Sequence, residues 1–157
     1  MRDVASRAVV PLAAVFAVLT APAAPAAEKE LAVAAVVVEP ASPAPHALCA
    51  LKVRLKNDGS RAVSGFALSV QIDGESVPTY DKHIWFVTID AGATGEISLF
   101  NFWSPSPAKS FDVVVKVVDS QCVEVKREGT TATTTSLGPV TGLPVSGSVS
   151  VKMSSGK

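Results

Sequence analysis

The chain has 157 residues, with 14 basic and 14 acidic side chains and 48% hydrophobic residues. So even a charge balance sets up no field that would draw in nucleic acid or an anionic membrane, and there is no acidic run to gather cations. The length suits one domain with a leader, since domains most often hold ~100–150 residues.

The first residues read as an export signal. Arg2 and Arg7 supply a positive start, Ala8 to Leu19 is uncharged and apolar, and Ala21-Pro22-Ala23 and Ala24-Pro25-Ala26 are small-residue cleavage sites. A signal peptide over 1–26 is therefore expected, cut after Ala26 or one residue to either side. The product would be secreted or held in the periplasm or cell envelope. Pro11, Pro22 and Pro25 interrupt the apolar run and alanine supplies much of its apolarity, so no stable membrane span is expected after cleavage. A lipid anchor on Cys49 does not fit: the cysteine lies far beyond the apolar run and follows Leu48, which is too large for that position.

After the leader, apolar residues recur at every second position. Leu31 to Val38 reads as a first strand, and Pro40, Pro43 and Pro45 then force a loop. Cys49, Leu51, Val53 and Leu55 alternate with Ala50, Lys52, Arg54 and Lys56, as in a strand with one dry and one wet, cationic face. Asn57-Asp58-Gly59-Ser60 is a turn. Phe66, Leu68, Val70 and Ile72 share one face of the next strand, and Asp73-Gly74 turns the chain back as a hairpin. Ser76 to Ile89 is weakened by Pro78 and by polar Tyr80 to His83, with Ile84 to Ile89 extended again. Ile97 to Trp103 and Phe111 to Val118 are further strands, separated by Ser104-Pro105-Ser106-Pro107.

Beyond Gly129 the composition shifts. Thr130 to Ser136 is β-prone and weakly apolar, a candidate closing edge strand, and 137–157 reads as a tail rich in Ser, Thr and Gly. Within that tail, Val149, Val151 and Met153 alternate enough to allow one more strand. Short strands joined by Gly and Pro turns predict an all-β fold: an immunoglobulin-like antiparallel sandwich of about seven strands over 28–128, with a barrel as the alternative.

Several of these segments carry a resemblance. Val38-Glu39-Pro40-Ala41, Val53 to Gly59, Val70 to Gly74, Ala91-Gly92, Trp103-Ser104-Pro105 and Val113 to Asp119 together resemble the CARDB domain, the cell-adhesion-related module of bacterial and archaeal surface proteins. The likeness spans Leu31 to about Glu128. It departs at Thr130-Thr131, where such domains often carry paired asparagines. The resemblance implies an immunoglobulin-like sandwich with a binding, spacing or accessory role, and it brings no catalytic residues.

The residues themselves point the same way. Two cysteines in an oxidising compartment commonly pair, so Cys49 and Cys122 are a candidate disulfide. Whether they meet depends on whether Tyr80 to His83 reverses the chain. His46 and His83 lack neighbours at metal-ligand spacing, no nucleophile elbow or phosphate-cradling loop occurs, and no cofactor is expected. No enzyme is expected either. The aromatic residues are the candidate binding surface. If Ile97, Leu99 and Trp103 face the core, Phe100 and Phe102 project outward, and Trp85 lies on a neighbouring segment. A bulge or covering loop would bury the two phenylalanines instead. The partner would be a protein or a glycan. A small secreted enzyme inhibitor, working through Pro40–Pro45 or Tyr80–His83, is the alternative.

Overall fold

The computed structural model describes residues 29–79, 83–106 and 109–155, so residues 1–28, 80–82, 107–108 and 156–157 lie outside it, the expected signal peptide among them. It is an antiparallel β-sandwich of eight strands: β1 (Leu31–Glu39), β2 (Leu48–Asn57), β3 (Ala62–Ile72), β4 (Glu75–Val77), β5 (Thr94–Trp103), β6 (Ser110–Glu128), β7 (Thr131–Pro139) and β8 (Val145–Lys152). One sheet has the order β1-β2-β5. The other runs β4-β3-β6, with β7 and β8 both paired to the far side of β6. No helix among the described residues is long and apolar enough to cross a membrane.

The alternation read from the sequence places the core. Leu51, Val53 and Leu55 of β2 meet Phe66 and Val70 of β3 and Phe111, Val113 and Val115 of β6, all nearly or fully shielded from water. Each such side chain contributes about 1.5–3 kcal/mol of burial. Asn57 closes one end of the sandwich from inside. Its amide donates to the carbonyls of Arg61 (2.7 Å) and Ile89 (3.0 Å), and its side-chain oxygen accepts from the Gly59 amide (3.0 Å). The Asn57–Ser60 turn is therefore tied both to itself and to the loop across the core.

Two elements depart from the sequence expectation. β6 does not stop near Val118 but runs 19 residues, pairing β8 along Ser110–Val117 and β7 along Gln121–Glu128. The segment expected as a tail supplies β8, whose Val145 and Val151 are buried against the core. β8 has valine or glycine on the inner face and serine on the outer face at most positions, so its pattern is weak in hydrophobicity but regular in period. Gly147 is the point of closest approach: a Cβ there would collide with the Val33 side chain of β1. The absence of a side chain lets β8 and β1 close that side of the sandwich.

The stretch after the Asp73-Gly74 hairpin forms only the three-residue β4. Ile84 and Ile89 then reach β3 through single bridges to Phe66 and Val63 rather than as a continuous strand. The cause is a bulge in β3 between Ser64 and Ala67, which breaks the ladder there. Ser120 Oγ donates to the Ser64 carbonyl (2.9 Å) and Ser64 Oγ donates to the Val87 carbonyl (2.7 Å), so both hydroxyls satisfy groups the bulge leaves unpaired.

Candidate functional site

The outer face of the β1-β2-β5 sheet is the most developed surface. Period-two alternation turns Leu48, Ala50, Lys52, Arg54 and Lys56 of β2 outward. The cationic row is not free charge. Lys52 Nζ lies 2.9 Å from Glu39 Oε2 and 3.9 Å from Glu96 Oε1, and Arg54 Nε donates to Glu96 Oε2 at 2.9 Å. Arg54 and Glu96 stand directly opposite one another in the ladder. The hydrogen bond it donates to Glu39 holds the Lys52 ammonium above the ordinary lysine range, and the one Glu96 accepts from Arg54 holds its carboxyl below the carboxylate range.

The other half of this face is aromatic. A register shift between Leu51 and Lys52 leaves one extra residue in β5, so the strand changes phase between Ser98 and Phe100. Ile97 and Leu99 point into the core before the bulge, and Phe100 and Phe102 pack against it afterwards. This corrects the outward placement considered for the two phenylalanines. Phe102 meets the buried Phe111 edge to face, with ring centres 5.9 Å apart, and Phe100 meets Phe102 at 6.3 Å. The same phase change turns Trp103 outward, where it is 68% exposed. Its cross-strand partner is Leu48, 53% exposed. A shallow depression of about 190 Å³ lies beside them at the bulge, lined in part by Ala50, Lys52, Ser98 and Asn101.

Trp103 is held at this edge by its neighbour. Ser104 is buried, donates its amide to the Ala47 carbonyl (2.8 Å) and its hydroxyl to the Ala44 carbonyl (2.6 Å), and accepts from the Ala47 amide (2.9 Å). The Ser154 amide donates to the Pro43 carbonyl (3.0 Å). The proline-rich loop is thus stapled to the body of the domain.

Trp85 sits elsewhere, over the β3 bulge, where its ring covers Gly65. It is 49% exposed and its neighbour Phe86 is 80% exposed. His83 Nε2 lies 2.7 Å from Asp119 Oδ2, and the His83 and Trp85 ring centres are 6.3 Å apart. The sequence expectation grouped Trp85 with Phe100 and Phe102; the structure puts it on the other sheet's side. Strand period alone does not bring Leu48, Asn101 and Trp103 together as a surface; the one signal of the phase change is Leu99-Phe100, two adjacent apolar residues in an alternating strand.

Cys49 and Cys122 are both buried free thiols, so the candidate disulfide is not formed. Cys49 stands opposite Phe102 at one end of β2, whereas Cys122 lies beside Glu30 at the other end, with Sγ 3.9 Å from its carboxylate. A bridge needs Cα atoms within about 7 Å, and most of the length of β2 intervenes. Burial raises both thiols above their ordinary range. Among the described residues, no three of His, Cys, Asp and Glu converge as a metal site.

Compared with models of known protein families and with curated proteins, the chain matches none.

Proposed function

We propose that this is an exported, non-enzymatic binding module that takes a glycan on the outer face of the β1-β2-β5 sheet. The reading follows the leader and the CARDB resemblance for location and class, and the surface for ligand. The observation that carries it is Trp103, an indole more than two-thirds exposed on a flat sheet face, beside Leu48 and Asn101. An open indole offers a flat apolar platform to the C–H face of a sugar ring. Asn101, two residues back on the same face, and Lys52 beyond it at the bulge supply donors and an acceptor for its hydroxyls. A protein hot spot would instead centre the tryptophan in a wider apolar, desolvated patch, and here the apolar surface stops at Trp103 and Leu48 and gives way along the face to Asn101 and the ion-paired Lys52. The inhibitor alternative is second because its Pro40–Pro45 loop is hydrogen-bonded into the domain rather than free to enter a cleft.

The test is co-sedimentation of the purified protein with insoluble peptidoglycan, chitin and cellulose, together with tryptophan fluorescence titration by soluble fragments. Binding to at least one polymer, lost in Trp103→Ala and retained in Phe86→Ala, is expected. Binding that Trp103→Ala leaves intact, or no binding to any polymer together with inhibition of a protease panel, overturns the reading.

A further inference from the structure

The second feature the function does not use is the edge formed by β7. Past Ala62, β3 ends, and residues Glu124–Glu128 of β6 pair with β7 alone as a two-stranded ribbon. Every residue from 131 to 137 is exposed. On the side away from β6, the backbone groups of these residues have no partner among the described residues.

Such an edge is a template for another strand, and sheet proteins usually blunt it with charge, a bulge, proline or brevity. The other edges here carry these devices. β4 is three residues long, β5 has Glu96 and a bulge, β1 has a bulge between Val33 and Ala35 and ends on Glu39, and β8 ends on Lys152 and is covered by β1, whose Val33 lies over Gly147. β7 has none over Thr131–Thr135: no charge, no proline and no bulge, with five residues of which four are threonine. The irregularity in its pairing comes only at Leu137, and its proline is the last residue.

We infer that β7 pairs with β7 of a second copy of this chain, antiparallel about a two-fold axis at Thr133, joining two sandwiches into one continuous sheet. That register sets Thr131 against Thr135, Ala132 against Thr134, and Thr133 against itself. Threonine pairs across strands are favourable in this setting. The charges of the flanking strands stand like to like but too far apart to oppose it. Glu124, Lys126 and Glu128 lie opposite Thr135, Thr133 and Thr131 within each ribbon. Lys126 of the two copies would then stand three strand spacings apart, about 14 Å. That exceeds the screening length of ~8 Å at physiological ionic strength. A foreign strand would be selected by pockets between alternating side chains. A level row of threonines offers no such pockets, whereas under a two-fold axis it complements itself. A five-residue seam buries less than the ~1,200 Å² of a standard stable interface, so the dimer is reversible and concentration-dependent.

Sedimentation velocity of the purified protein from about 10 µM to about 1 mM tests this, spanning the range in which weak association shows. A monomer–dimer equilibrium is expected, abolished by Thr133→Lys at an unchanged circular dichroism spectrum. Under mild oxidation Thr133→Cys is expected to form disulfide dimers at least about tenfold faster than Ser69→Cys, an exposed position on β3, because pairing raises the effective concentration of the two sulfurs. A monomer throughout, a dimer that survives Thr133→Lys, or equal cross-linking at the two positions overturns the inference.

Discussion

The indole of Trp85 lies across the backbone of Gly65, so close that a Cβ on residue 65 would come within 2.6 Å of the ring. Gly65 also has a φ of 65°, inside the left-handed region that side chains disfavour. Two independent constraints thus demand glycine at the bulge that breaks β3 and carries the Ile84–Ile89 segment.

Gly65→Ala is therefore expected to destabilise the fold by about 2–3 kcal/mol, combining ~1 kcal/mol of backbone cost with overpacking against the indole. Urea denaturation followed by circular dichroism measures it, and the native emission of Trp85 should shift to the red as the ring is pushed off. In a Trp85→Ala background the cost of Gly65→Ala should fall to the backbone part alone, about 1 kcal/mol. An unchanged cost in that background would mean that the indole does not cap Gly65.

The mate of this contact on the other side of the sandwich is Gly147 against Val33. Val33 is β-branched and cannot swing away cheaply. Gly147→Val is expected to lose at least about 2–3 kcal/mol by overpacking, whereas Ser148→Val, an exposed neighbour on the same strand, should stay within about 0.5 kcal/mol. Thermal melts of the two variants compare them directly. A chain ending before β8 would expose Phe111, Val113 and Val115 along the side of β6 that β8 covers. It should not give a cooperative melt.

How far the sequence carried the fold follows from which forces leave a periodic mark. Alternation of Cys49, Leu51, Val53 and Leu55, or of Phe66, Leu68, Val70 and Ile72, marks buried strand faces directly, and these residues are buried or partly buried as expected. The phase change in β5 leaves only the adjacent apolar pair Leu99-Phe100, which does not by itself show a bulge, because a bulge is an agreement between two strands; extending one strand's period through it turns Phe100 and Phe102 outward. β8 is legible only as a possible strand, since its inner face gives Gly147 to the close approach of Val33 and Val36 and its outer face is serine. The β7 edge is visible as β-prone threonine, but its freedom depends on no strand pairing with it on the side away from β6, a tertiary fact. The surface around Trp103 is hidden from a single strand's period for the same reason as the bulge that creates it.

The cysteines provide a last measurement. Cys49 and Cys122 are free and buried, and desolvation, aided at Cys122 by the Glu30 carboxylate, holds both thiols above the ordinary value near 9.0. Because only the thiolate reacts, alkylation by iodoacetamide in the native state should be slow at pH 7–8 and become rapid for both residues in 6 M guanidinium. Mass spectrometry under non-reducing conditions should find two modified cysteines after unfolding and no mass loss from a bridge. The sign of the linkage follows from the direction of the shift. A thiol whose folded value is raised contributes stability that is fully present below its unfolded value near 9.0 and is lost as pH rises through the folded value. Stability against urea should therefore be insensitive to these two groups up to about pH 8.5 and decline above it, less steeply in Cys122→Ala, which lacks one of the two titrating thiols. Rapid native alkylation at neutral pH, or a two-dalton deficit from a Cys49–Cys122 bond, would show that the two ends of β2 are not where this fold holds them.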